Sequence, residues 1–73
     1  EKNAFVSFKL KKRQEVKLYL CDQNGKFLAL LTKCYLAAGS YEFPFSCAWL
    51  ANGAYYVIVE TETIRTSAGF IKK

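Results

Sequence analysis

The residue types that most often carry chemistry in proteins are scarce in this chain of 73 residues. It has no histidine, three cysteines and six acidic residues, of which only Asp22 is an aspartate. General acid–base and nucleophilic catalysis need a base beside a nucleophile, or a pair of tuned carboxylates. The sequence shows neither, and Asp22 opens a turn in which its side chain would bond the backbone two residues further on. We therefore expect the protein not to be an enzyme.

The cysteines, Cys21, Cys34 and Cys47, do not form the close Cys-x-x-Cys pairs of zinc sites. Their odd number leaves at least one thiol outside any internal disulfide. A free cysteine behaves as a small hydrophobe, and a chain with 52% hydrophobic residues has little need of disulfide staples. We expect no metal and no cofactor. Partly buried thiols are favoured, and one disulfide is the alternative.

The composition predicts a small folded domain with a basic surface. The chain is too apolar for disorder, yet it lacks the run of about 18 apolar residues that a membrane helix needs, so we expect no membrane insertion. It opens without methionine or a signal peptide, which suggests a single domain, residues 1–73, excised from a longer protein. Its net charge of +5 suggests an anionic neighbour, although lysines at strand edges also block edge-to-edge pairing. The clustered basic residues are Lys9, Lys11, Lys12, Arg13, Lys72 and Lys73.

Alternating apolar and polar residues predict a chain made of short strands. The clearest case is the stretch 16–20, where Val16, Leu18 and Leu20 share one face. Turn signals at Asn24-Gly25, Gly39 and Asn52-Gly53 separate the strands. The apolar stretch 26–36 is expected near a sheet centre or at a bend between sheets, and Pro44 at an edge or bulge. The predicted fold is all-β: a small antiparallel immunoglobulin-like β-sandwich of about seven strands.

Whether the aromatic side chains face inward or outward distinguishes a filled core from a nucleic-acid-binding surface. By alternation, and for Trp49 by its loop position, we expect most of them to face inward and fill the core, so the protein is predicted not to bind nucleic acid. Exposure of Tyr19 or Tyr56 beside Lys17 would favour binding instead. The residues expected inside are Phe5, Phe8, Tyr41, Phe43, Phe45, Trp49 and Tyr55.

The order of these strands and turns resembles the C-terminal sorting domain of type IX secretion system cargo, especially its type A form. Nearly the whole chain takes part in the resemblance. The family has an Asp-x-x-Gly turn after an apolar strand, an Ala-Gly turn, a Leu-x-x-Gly-x-Tyr element and a basic end. The matching residues are Asp22 and Gly25, Ala38 and Gly39, Leu50, Gly53 and Tyr55, and Lys72 and Lys73. The immunoglobulin-like module of the flagellar hook-capping protein shares the first of these turns.

The resemblance implies a secretion signal. Proteins with this domain fold in the periplasm and pass through an outer-membrane translocon that recognises the domain. A sortase-like peptidase then usually removes it, and the cargo remains on the cell surface or is secreted. The implied partners are thus the type IX translocon and the sortase-like peptidase. The implied recognition residues are Gly69, Phe70, Ile71, Lys72 and Lys73.

Two interpretations of the terminal strand stay open. As a recognition handle, it would offer backbone groups for β-augmentation, and its terminal charges would set the register. Alternatively, Phe70 and Ile71 are the last core contacts, and the lysines keep an edge strand soluble. The alternative function is an immunoglobulin-like structural or adhesive module without an export role. The sequence leaves the oligomeric state open.

Overall fold

A computed structural model describes residues 3–73, and these residues form six β-strands and no helix. All strand pairs are antiparallel. The strands are β1 (Asn3–Leu10), β2 (Gln14–Asp22), β3 (Phe27–Leu36), β4 (Gly39–Ser46), β5 (Gly53–Thr61) and β6 (Arg65–Lys72).

The strands form two sheets of unequal width. β1 and β4 make a two-stranded sheet, and the other four strands make a sheet in the order β3-β2-β5-β6. In the wider sheet β2 and β5 are therefore central, while β3 and β6 are the edges. The all-β prediction is confirmed.

One hydrophobic core joins the two sheets. Its centre is the inward face of β2, where Val16, Leu18 and Leu20 are fully buried, together with Val57 on β5. Val6 and Phe45 add the cover from the narrower sheet. The period-two pattern that predicted a half-buried β2 is confirmed, because the intervening Lys17 and Tyr19 are only partly buried.

The described residues hold six strands where about seven were predicted. Each strand is eight to ten residues long. Six strands of that length, with the segments that connect them, account for the 71 described residues. The prediction assumed shorter strands. Pro44 lies on β4, which has β1 as its partner within residues 3–73, so its predicted edge position is confirmed.

The prediction for residues 26–36 is wrong, because β3 is an edge strand. Its apolar side chains are not all covered: Phe27, Leu30 and Tyr35 are among the most exposed large hydrophobic residues of the domain. Hydrophobic content alone does not separate a central strand from an edge strand, since an edge strand can also carry apolar residues on its solvent face.

Two of the predicted inward aromatics are also wrong. Phe5 is 63% exposed, because the same alternation that turns Val6 and Phe8 inward turns Phe5 outward. Trp49 lies on the loop before β5, 57% exposed, and its indole N–H donates to the Ser46 carbonyl at 2.9 Å. The other five are at least partly buried against the core.

The turn between β2 and β3 is organised by Asp22. Its Oδ1 accepts hydrogen bonds from the backbone N–H groups of Asn24 and Lys26, both at 2.9 Å. The Gly25 N–H donates to the Asp22 carbonyl at 3.0 Å, and Gly25 takes a φ of 85°. Among the described residues positive φ occurs only at glycines, so Asn24 lacks the positive φ that a two-residue Asn-Gly hairpin turn requires. A three-residue loop with a left-handed glycine explains this geometry.

We expect Asp22→Ala to lower the free energy of unfolding by about 1 kcal/mol, because both side-chain hydrogen bonds are lost from a partly solvated turn. Urea denaturation measures this change. Asn24→Ala is the matched control, since Asn24 contributes its backbone N–H to the turn. Equal stability of Asp22→Ala and Asn24→Ala would show that the carboxylate does not hold the turn.

Candidate functional site

The predicted recognition residues lie at the end of β6, an edge of the four-stranded sheet. Within the described chain β6 pairs with β5, and its other side faces away from the sheet. Gly69, Phe70 and Ile71 pair with Tyr56, Tyr55 and Ala54, and Lys72 pairs with Gly53. The backbone N–H and C=O groups on the outer side of β6 are thus open to a further strand.

One face of this segment is anchored in the core. The Phe70 ring meets Phe45 edge to face at 5.6 Å and stacks on Tyr55 at 5.7 Å, measured between ring centroids. Two residues later, Lys72 is partly buried, and its Nζ donates to the Leu50 carbonyl at 3.4 Å. The Phe70 contacts hold the end of β6 to both sheets, and the Lys72 contact holds it to the loop before β5.

The opposite face of the segment is presented to solvent. Ile71 is 63% exposed, and Lys73, just beyond the strand, is exposed. Gly69 lies under the ring of Tyr56, whose Cε1 would be 3.2 Å from a Cβ added there. A larger residue at position 69 would therefore displace Tyr56, and the glycine lets the aromatic ring cover the edge strand.

Several of the residues on which the sequence resemblance rests lie at the same end of the domain. Asp22 pairs with Tyr55 across β2 and β5, and Gly53 pairs with Lys72 across β5 and β6. Asp22, Gly53 and Tyr55 also line one shallow depression. Gly39 is elsewhere: it pairs with Leu10 at the far end of β1, near the start of β2.

Sequence reasoning missed a local motif that occurs twice, "AAGSY" at 37–41 and "ANGAY" at 51–55. In each copy the tyrosine hydroxyl donates to the carbonyl four residues earlier, from Tyr41 at 2.5 Å and from Tyr55 at 2.7 Å. The intervening glycines have φ values of 147° and 154° and pass beneath the rings. We call these hydrogen-bonded turns the two tyrosine corners. The repeated Ala-x-Gly-x-Tyr spacing was the signal that could have revealed them.

The outer face of the four-stranded sheet carries aromatic and basic groups together. Tyr19, Lys17, Phe27 and Lys33 line one depression there. The Tyr19 hydroxyl accepts hydrogen bonds from Arg65 Nε at 3.2 Å and Nη2 at 3.0 Å, and these bonds raise the pKa of Arg65 above its usual range. A partly exposed tyrosine beside Lys17 is the arrangement that the nucleic-acid alternative requires.

Cys21 and Cys34 are free thiols, buried and partly buried respectively, and Cys47 is buried. Residues 3–73 contain no group of three potential metal ligands. The same residues include no helix that is long and apolar enough to cross a membrane.

We compared the chain with protein-family models, with curated proteins and with solved structures, and none of the three comparisons gives a match.

Proposed function

We propose that this chain is an immunoglobulin-like export-sorting domain of the kind carried by type IX secretion cargo, recognised through its last strand. The observation that carries the proposal is the two-sided character of β6, an edge strand anchored by Phe70 on one face and exposing Ile71 on the other. The clustering of Asp22, Gly53 and Tyr55 beside the end of β6 supports the sequence resemblance.

The physical basis of recognition is strand addition to a preformed edge. A partner strand that pairs with β6 gains backbone hydrogen bonds, and side-chain pockets around alternate residues supply specificity. Because Phe70 already holds β6 extended, less conformational entropy is lost on binding than for a free tail. The exposed ammonium group of Lys73 would set the register against an acidic group of the partner.

In this proposal the partner is the type IX translocon, and the sortase-like peptidase acts after export. The domain would be in the periplasm during transit and at the outer-membrane surface, or released, afterwards. The domain itself has no catalytic role in this sequence of events. The second candidate is a structural or adhesive immunoglobulin-like module. In that module β6 would serve only to close the core, through the contacts of Phe70 with Phe45 and Tyr55.

The proposal predicts the fate of a reporter protein fused before residue 1 and produced in a bacterium with a type IX system. With the unchanged domain the reporter should reach the cell surface or the medium. The double substitution Ile71→Glu with Lys73→Glu should leave the domain folded, because both residues are exposed. It should nevertheless retain the reporter in the periplasm, since it removes the apolar and positive groups presented by β6. Cell fractionation with immunoblotting measures the distribution.

The matched control is Leu30→Glu with Lys33→Glu, which makes the same kinds of change on exposed residues of β3, the other edge of the same sheet. Reporter export should survive this control. Export of the β6 variant at the normal level would refute recognition through β6, and loss of export in both variants would point to a general charge effect. Truncation before Phe70 is a poorer test, because it removes a core contact as well.

A further inference from the structure

A cavity of about 430 Å³ opens between the two sheets, on the side away from the depression that holds Asp22 and Gly53. Its apolar lining comes from Phe8 and Leu10 on β1, Val59 on β5, and Ile64 in the turn between β5 and β6. This size is in the range of pockets that bind small ligands or short peptide segments. We call it the β1 groove.

The β1 groove exists because the narrow sheet covers only part of the wide one. Thr66, Ala68 and Phe70 lie on one face of β6, but only Phe70 is covered, while Thr66 and Ala68 are exposed. Within residues 3–73, β1 pairs with β4 along one side. Its other side, beside the groove, therefore has backbone groups available to one more strand.

A buried, unpartnered acceptor lines this groove. Gln14 is only 5% exposed, and its Nε2 donates to the Lys12 carbonyl at 3.4 Å. That bond orients the amide and leaves Gln14 Oε1 buried without a hydrogen-bond partner. A buried acceptor without a donor is costly, and native structures seldom keep one without a reason. Because Oε1 itself is covered by the protein, a ligand N–H in the groove would satisfy it once the Gln14 side chain turns toward the groove.

The rim of the groove is basic. Lys9, Lys11 and Lys12 are all exposed, and no acidic residue is among the described residues that line the groove. An occupant with negative charge would therefore be favoured over a neutral or basic one.

We propose that the β1 groove binds an extended acidic peptide segment of a partner protein, which adds as a strand along the free edge of β1. Alternate apolar side chains of this segment would enter the groove beside Phe8 and Leu10. Its acidic side chains would face the other way, toward Lys9, and one of its N–H groups would donate to Gln14 Oε1 after the Gln14 side chain turns toward the groove. The proposal is independent of recognition through the end of β6, because it uses different residues.

The probes are three capped ten-residue peptides titrated into the isotope-labelled domain and followed by amide chemical shifts. A peptide of alternating valine and glutamate should shift the β1 amides and the Gln14 side-chain amide. An alternating serine and glutamate peptide keeps the charge without the apolar face, and an alternating valine and lysine peptide keeps the apolar face with the opposite charge. Both should bind at least about tenfold more weakly.

Two variants locate the site. Gln14→Leu should bind the valine–glutamate peptide about fivefold more weakly, as expected for one lost hydrogen bond, while its melting temperature rises because the unpartnered acceptor is gone. Lys9→Glu should also weaken binding. Lys33→Glu, the same exposed charge reversal on β3, should leave it unchanged.

Three results would overturn the proposal: no shifts in β1, equal binding of the serine–glutamate peptide, or undiminished affinity in both Gln14→Leu and Lys9→Glu. The second of these would show attraction by charge alone. Normal or failed export of the reporter described above has no bearing on these outcomes, so the two proposals are tested separately.

Discussion

Replacing Phe70 by alanine should lower the free energy of unfolding by about 3 kcal/mol, the typical loss for a large aromatic removed from a core. The ring contacts Phe45 on the narrow sheet and Tyr55 on the neighbouring strand, so its loss loosens both the edge strand and the packing between the sheets. A domain of this size is stabilised by only about 5–10 kcal/mol in total. The melting temperature should fall by about 12–24 °C.

The neighbouring residue provides the control for this prediction. Ile71→Ala truncates an apolar side chain that is 63% exposed, and it should change stability by less than about 1 kcal/mol. Chemical denaturation of both variants, followed by tryptophan fluorescence, measures the difference. Equal losses at positions 70 and 71 would mean that β6 is not two-sided, and the basis of the proposed recognition would disappear.

The second large effect is expected at Gly53, where valine should cost about 3 kcal/mol and disturb the start of β5. The φ of 154° lies in a region that β-branched residues avoid. In addition, the Tyr55 ring lies 3.9 Å from the position of an added Cβ, so the branches of valine would crowd the tyrosine whose hydroxyl donates to the Ala51 carbonyl. Strain and a weakened hydrogen bond therefore act together.

Two further variants separate these contributions. Tyr55→Phe removes only the hydroxyl and should cost about 1 kcal/mol. Ala54→Val places the same β-branched side chain one residue later, where φ is not positive, and should have a small effect. Thermal unfolding of the three proteins measures the order. A melting temperature for Gly53→Val equal to that of the wild type would show that the corner tolerates a side chain.

The two tyrosine corners bear on both proposals, because each holds a strand that pairs with an edge strand. Tyr55 fixes the strand that pairs with the end of β6, and Tyr41 fixes the strand that supports β1. Each corner thus positions the partner of an edge strand. In a small domain with few buried residues, such local fixing keeps exposed edges extended and ready for pairing.

Local pattern was sufficient to predict much of this protein. The alternation of Val16, Leu18 and Leu20 predicted the central strand, because side chains of a strand point alternately to its two faces. Asp22 and Gly25 predicted a tight turn, since their conformational preferences are properties of the residues themselves. The all-β class followed from these short-range signals.

Which strands lie side by side, and which surfaces stay uncovered, depended on how the strands and sheets pack together in three dimensions. Nothing in the apolar stretch 27–36 says that it forms an edge, because an edge is defined by which strands lie beside it. The exposure of Thr66 likewise results from a two-stranded sheet that is too narrow to cover a four-stranded one, and the unpartnered acceptor of Gln14 depends on which groups the fold packs around it. Short-range preference set each strand and turn, and long-range packing decided which surfaces remained uncovered.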